Sequence, residues 1–409
     1  MYSVVGGGIA GLVVARRLAM AGESVTLLEA SDHLGGTVAR HTVGGIDLDA
    51  GAESFAIRGG TVAALATELG LGAEIVAPSA AGAWLQPAVG MPVPLPATSL
   101  LGIPGTPLAA DVIAVVGQAG ALRGELDALI PSLWARKSLS LGTLVRRRMG
   151  NAVLEKLVAP VVHGVHSVHP DDLPLDRVPG LRAAFAQQGS LAAAVRSLRA
   201  AAPAGAAVSG IRGGIHRLVT ELTADLVTYG VDVQLERRVD SLEGLDGTVV
   251  LAAPFESLRE RGPVTGRRVV LATLVVDAPA LDAAPRGTGL LVADGAPVAA
   301  RALTHATAKW DWLRERAGGR HVLRLSYDVE PEALHDTARR DASELLGVEL
   351  TEASVVDFAR VEWVRPVASV GPSPVPPGGV VVGETVAGSG LAGIVAQANA
   401  AADELLAEG

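Results

Sequence analysis

The sequence predicts an α/β fold: a dinucleotide-binding domain, a mixed α+β domain and a helical insertion. Three observations carry that prediction. The first 36 residues run strand, glycine turn, helix, strand, acidic residue and second glycine pair. Stretches near residues 205–254 and 375–409 repeat strands, glycine turns and helices. Between them lie a largely helical region and a region rich in β-branched runs.

At the N-terminus, Tyr2, Ser3, Val4 and Val5 form a short apolar strand. Gly6-Gly7-Gly8-Ile9-Ala10-Gly11 follows, then a helical pattern through Leu12, Val13, Ala15 and Leu18 to Gly22. A second strand over residues 24–28 ends in Glu29. In a Rossmann-like unit each part has a physical job. Gly6 permits the tight turn, Gly8 lets backbone approach a pyrophosphate, and Gly11 lets the helix pack on the strand. The helix N-terminus offers free N–H groups and a positive dipole end. Glu29 can accept from a ribose diol. Glycines 35 and 36 then suggest a second loop returning to the diphosphate, which points to FAD rather than NAD alone.

The second nucleotide-unit segment has Gly210-Ile211-Arg212-Gly213-Gly214 before an amphipathic helix with Ile215, Leu218, Leu222 and Leu226. Residues 248–253 form a continuous apolar run stopped by Pro254, the pattern of a buried parallel strand. In the third, residues 379–382 run into Gly383 and Glu384, and Gly388-Ser389-Gly390-Leu391-Ala392-Gly393 opens a last helix. The expected division is therefore a discontinuous FAD-binding domain (1–45, 205–254 and 375–409), a substrate-binding domain (46–83, 175–204 and 255–374) and a helical insertion (84–174).

Composition narrows the function. The 409 residues carry a net charge of −9, which argues against a nucleic-acid partner. Cysteine is absent, so disulfides, thiolate catalysis and cysteinyl flavin attachment are ruled out, and the FAD is expected to be non-covalent. Mean hydropathy is +0.38, yet the most apolar stretch, residues 108–122, is short and carries Asp111 and Gln118, so no transmembrane segment is expected. With its first strand at residue 2 and no targeting signal read before it, the chain is expected to be cytoplasmic.

With these motifs assembled, the chain resembles the protoporphyrinogen/coproporphyrinogen III oxidase family of FAD enzymes, closest to its soluble bacterial coproporphyrinogen III oxidase branch. The likeness runs through Gly6 to Gly11, Glu29-Ala30 with Gly35-Gly36-Thr37, and Asp49-Ala50-Gly51-Ala52-Glu53-Ser54-Phe55. It continues through Met91-Pro92-Val93-Pro94, Arg146-Arg147-Arg148-Met149-Gly150, Gly287-Thr288-Gly289 and Lys309-Trp310. The resemblance implies a glutathione-reductase/amine-oxidase type of FAD domain. It implies that Gly6, Gly8, Ile9, Ala10 and Gly11 hold the diphosphate, and that Glu29, with Ala30 beside it, holds the adenosine ribose. Gly36, Thr37, Gly51, Ala52, Glu53 and Ser54 would approach the ribityl chain and flavin. Val239 would contact adenine, Trp363 would pack near the cofactor, and Gly383 and Glu384 would border it. Gly390, Leu391 and Ala392 would face the flavin pyrimidine edge, where helix N–H groups stabilise the charge of reduced flavin.

The implied reaction is oxidation of coproporphyrinogen III to coproporphyrin III by dioxygen, with release of hydrogen peroxide, in haem synthesis. A tetrapyrrole with four propionates needs an apolar slab and cations at its rim. Arg58 matches a basic position of the family. His166 is a candidate for lining the porphyrin cavity. Arg177 and Arg182 are expected in rim salt bridges, and Arg146-Arg147-Arg148 on a solvated helix face. No catalytic base stands out. His163, His166 and His169 drift around a helix instead of clustering, so no metal is expected. The partners expected are the porphyrinogen, dioxygen and a transient contact with the next haem-pathway enzyme, for a monomer or homodimer. The sequence departs from the family in four places: Asn151 stands where an aspartate is usual, residues 162–169 differ, 364–371 replace the usual proline-glutamine-tyrosine segment, and the chain is short between Val239 and Leu274. Other readings are protoporphyrinogen IX oxidase, an amine or polyene oxidase of the same fold, and a non-catalytic FAD or porphyrin binder.

Overall fold

Short strands, the inner three apolar and largely buried, form the central sheet of the first unit. In the computed structural model, which describes all residues except 58, 132–137, 167, 201–207, 255–265, 367–374, 376–377, 389 and 409, this sheet has five parallel strands. Their order is Asp232–Gln234, Val25–Leu28, Tyr2–Val5, Thr248–Leu251 and Val380–Val381. Parallel neighbours require crossovers, and helices supply two of them. The helix Ile9–Met20 links the first two strands, and the helix Arg217–Thr228 leads into the outermost one. The core runs through Val4, Leu27 and Val250 of the sheet to Leu12, Leu222 and Val395 of the helices, all at 0 % exposure. This burial explains why Thr248–Leu251 reads as an unbroken apolar run.

Residues fall into two compact units. The first comprises Met1–Pro78, Ala207–Val270 and Arg360–Gly409, and the second Ser79–Ala206 and Leu271–Ala359. Residues 46–78, expected from sequence beside the substrate, thus group with the nucleotide-type sheet. Two long-range links account for this. The strand Val208–Ile211 pairs with both Phe55–Ala56 and Ile75–Val76, and Asp49 bonds to the segment opening the helix Arg217–Thr228. Buried Arg16 adds a third tie, pairing with Glu68 and Asp225.

The chain passes between the units along the strands Gly266–Val276 and Val355–Pro366. Their sheet continues through His321–Tyr327, Ala302–His305, Gly289–Val292, Trp84–Gln86 and Val93–Pro94. Most pairings described in it are antiparallel; Gly289–Val292 with Trp84–Gln86 is parallel. The expected helical insertion supplies the helices Ala110–Glu125, Leu141–Met149 and Ala159–His166, although its first part gives the strands Trp84–Gln86 and Val93–Pro94 to the sheet; Leu181–Gln188 and Leu191–Ala200, expected in the substrate domain, pack in the same helical core. That core includes Leu144, Leu157, Leu181, Phe185 and Val195.

One expectation fails inside that core. Arg146 and Arg147 reach solvent, but Arg148 is fully buried. It pairs with Asp127, donates to the carbonyls of Asp127, Ile130, Pro131 and Gly189, and stacks on Phe185. The reason is helical spacing. Arg148 lies four and seven residues after the buried Leu144 and Leu141, on the inward face.

Candidate functional site

Three glycine turns of the first unit converge at the ends of its parallel strands. Gly6 turns the chain with φ of +107°, and an added Cβ would lie 2.9 Å from the Ala252 backbone. A Cβ on Gly11 would sit 2.0 Å from the Gly6 carbonyl oxygen, so helix and turn touch backbone to backbone. The second glycine pair docks on this turn. Gly35 donates to the Gly7 carbonyl at 2.8 Å, Gly8 and Gly35 form an isolated parallel bridge, and a Cβ on Gly36 would meet the Gly8 Cα at 3.4 Å. Gly51 lies against Thr37, and Gly383, with φ of +100°, lies against Ala10 and Ala252.

Gly8 differs from these neighbours. It is extended, with φ of −71° and ψ of 175°, a conformation open to any residue. A Cβ there would have no protein atom within 4 Å. Neither the backbone nor the packing of the fold requires glycine at this point, yet the space is left open. Gly8 is also the N-cap of the 12-residue helix Ile9–Met20, and no side chain caps that helix. Its first N–H groups and positive dipole end therefore face a cradle suited to a diphosphate.

Glu29 stands at the end of the second strand and accepts three hydrogen bonds. One carboxylate oxygen takes the Gly7 N–H at 2.6 Å, and the other takes the Ser31 N–H and hydroxyl, both at 2.8 Å. A carboxylate offers about four lone-pair positions. Glu29 thus pins the glycine turn and keeps capacity for a further donor. Gly7, to which sequence reasoning gave no role, is needed for this contact, because a Cβ would lie 2.5 Å from Leu34 and 3.1 Å from the Glu29 carboxylate.

Two further positioning groups escaped the sequence reading. Asp49 is buried; it accepts from the backbone N–H groups of Ile215 at 3.0 Å and His216 at 2.9 Å, and lies 2.8 Å from His216 Nδ1. It fixes the start of the segment containing Gly51, Ala52, Glu53 and Ser54. Gln397 accepts from the Gly383 N–H at 3.0 Å and donates to the Val381 carbonyl at 3.1 Å, tying the third turn to the helix Leu391–Glu408. The sequence signals were slight: an aspartate two residues before a glycine, and a polar residue inside an apolar helix.

The remaining candidates are placed as follows. Gly390 opens the last helix with φ of +124° and nothing within 4 Å of an added Cβ; Leu391 is buried, and the Ala392 carbonyl accepts from Thr61 at 3.0 Å. Ala30 is exposed, Glu384 begins a one-turn helix after Gly383, and Trp363 is half-buried on the strand Val355–Pro366. Val239 packs on the cluster containing Val5 and Leu28, beside the first turn. Arg58 lies outside the described residues. So does the side chain of His166, which ends the helix Ala159–His166 in the second unit. Residues 367–371 of the departing segment 364–371 also lie outside them.

In the second unit His163 bonds to Asp328 at 2.9 Å, and Asp328 also accepts from Arg301. His169 lies 3.5 Å from Asp171, which binds Arg146 through both carboxylate oxygens. Arg182 pairs with the exposed Asp176, and Arg177 is exposed. Lys309 stands over the ring of the buried Trp310. Near them His305 lies 3.1 Å from His321, which reaches Asp282 at 3.1 Å. Burial, with the nearby charge of His321 adding, pushes His305 down to about 4. Among the described residues, no group of three or more His, Asp or Glu is placed to hold a metal ion, and no helix is long and apolar enough to cross a membrane.

The model of the flavin containing amine oxidoreductase family matches residues 9–279. A coproporphyrinogen III oxidase of Mycobacterium leprae is 30 % identical over 100 % of this chain and 98 % of its own length. That of Mycobacterium tuberculosis H37Rv is 29 % identical over 91 % and 87 %. A crystal structure from Exiguobacterium sp. 255-15, provisionally named a protoporphyrinogen oxidase, superposes with a TM-score of 0.83 at 23 % identity, covering 100 % of this chain and 99 % of that one. The chain belongs to the flavin-containing amine oxidoreductase family. It is a flavin-dependent oxidoreductase, and its curated relatives carry the coproporphyrinogen III oxidase name.

Proposed function

We propose that this chain is an FAD-dependent coproporphyrinogen III oxidase of haem synthesis, working in the cytoplasm. One observation carries the reading: similarity to a relative of that name extends over the whole chain. The open cradle at Gly8 supports it, because the residues present fit a dinucleotide diphosphate. The overall chemistry balances as removal of six hydrogens from the substrate, with three dioxygen molecules becoming three hydrogen peroxide molecules.

Bound without a covalent link, FAD would supply the two-electron redox chemistry between substrate and dioxygen. The chain's own residues bind and orient. The N–H groups of Ile9, Ala10 and Gly11 take the diphosphate at the helix N-terminus. Glu29, held by Gly7 and Ser31, keeps a lone pair for the ribose diol. Gly36, Thr37, Gly51, Ala52, Glu53 and Ser54 line the ribityl chain and flavin. Their backbone is positioned by Asp49. Val239, Trp363, Gly383 and Glu384 border the cofactor. Gly390, Leu391 and Ala392 direct the N-terminal end of the 18-residue last helix at the pyrimidine edge, where its dipole favours negative charge. Arg58 holds a propionate, and His166 lines the cavity.

The test mixes purified, FAD-loaded protein with coproporphyrinogen III in air and follows porphyrin fluorescence. Protoporphyrinogen IX runs alongside, and a no-enzyme control corrects for autoxidation. A rise above control that is faster with the tetracarboxylate, with peroxide released, is the expected result. No rise from a yellow protein sinks the proposal and leaves another oxidase substrate or a binding role. In the active enzyme Arg58→Ala raises KM for the tetracarboxylate; an unchanged KM removes Arg58 from the rim.

A further inference from the structure

The second unit contains a cavity of about 830 Å3 that shares no residue with the glycine turns. One wall is the turn after the strand Trp84–Gln86, with Met91 and Pro92; the other is the end of the helix Leu334–Leu346 and the residues that follow it. Small-molecule sites span roughly 300–1,000 Å3, so the cavity is of ligand size.

Three arginines line it; Arg340 is exposed, and the other two give the cavity a sign. The Arg286 guanidinium stacks on the ring of Trp84 at 4.9 Å. Among the described residues no carboxylate or carbonyl accepts from it, and its Nε is buried without a partner. Gly347, which ends the helix with φ of +67°, leaves room beside it: an added Cβ would lie 3.5 Å from an Arg286 terminal nitrogen. Arg339 donates from one terminal nitrogen to the Leu350 carbonyl at 2.7 Å, and its Nε is also buried and unpartnered. Both arginines are half-buried, whereas the lining carboxylates Glu344, Glu349 and Glu352 are exposed. The positive groups therefore lie deeper than the negative ones. An indole face holds a guanidinium flat but accepts no in-plane hydrogen bond, so the terminal N–H groups stay available for a planar, bidentate acceptor.

We propose that this cavity binds a small organic anion, whose carboxylate or phosphate meets Arg286 and Arg339 while its apolar body lies against Met91 and Pro92. The test uses the full-length, flavin-loaded protein and two probes, hexanoate and inorganic phosphate, titrated by calorimetry at constant ionic strength. Saturable binding of either probe is expected, and the stronger one identifies the head group. Arg286→Gln should weaken binding by about tenfold or more, with the flavin absorbance spectrum unchanged. Arg339→Gln gives a second reading, which decides the matter if Arg286→Gln does not fold. No saturable binding of either probe, or wild-type affinity in the folded variants, overturns the proposal.

Discussion

The glycine turns of the first unit and the helical core of the second treat polar groups in opposite ways. At the start of the helix Ile9–Met20 no side chain caps the free N–H groups, and Gly8 faces space that its own fold leaves empty. Around Arg148 the guanidinium meets one carboxylate and four carbonyls, and the partner Asp127 also accepts from Ser190 and from the Ala192 N–H. The first arrangement is incomplete by itself and fits a bound dinucleotide. The second is closed and needs nothing further. An unsatisfied helix end at a strand terminus marks a place for a ligand, while a fully satisfied buried charge marks architecture.

The largest expected effect tests the closed side. Arg148→Met leaves Asp127 charged inside the core, and breaking a buried pair in this way costs about 3–5 kcal/mol. Urea unfolding should show that loss. A variant as stable as the wild type would mean that water reaches Asp127.

A second prediction concerns acid. Burial holds His305 near 4, against an ordinary value of 6.5. The unfolded chain therefore binds the proton more readily, and the stabilisation is present above pH 6.5 and is lost as pH falls towards 4. The amount is on the order of 3 kcal/mol. His305→Gln should flatten the loss of stability between pH 7 and pH 4.5, read from urea midpoints. An unchanged slope would assign the acid sensitivity to other groups.

The finest test separates two glycines three residues apart. Gly11→Ala drives a Cβ into the Gly6 carbonyl and should destabilise the protein by about 1–3 kcal/mol. Gly8→Ala meets no protein atom within 4 Å, so the apoprotein should melt at the wild-type temperature while its flavin affinity falls. Equal flavin affinity in Gly8→Ala and wild type would break the contrast between the open and the closed region.

Much of the first unit was legible because its signals are local. The strand, turn and helix of residues 2–20 follow one another in sequence, and the apolar runs at 2–5, 25–28 and 248–251 are those of a buried parallel sheet. Arg148 was misread because three consecutive arginines look solvated, although helical spacing turns the third one inward. The Asp49–His216 pair joins residues 167 positions apart, and no periodicity announces such a contact. Arg286 and Trp84 likewise meet only when a turn and a strand far apart in sequence are brought side by side.

By itself the sequence determined the α/β class, the order of the glycine turns and the flavin family, since each depends on residue type at short, fixed spacing. Tertiary structure alone decided which glycines pack and which stay open, which arginine of a run is buried, and which carboxylate anchors the segment containing Gly51. Those outcomes depend on what the folded chain places within a few ångströms, and that distance is not written along the sequence.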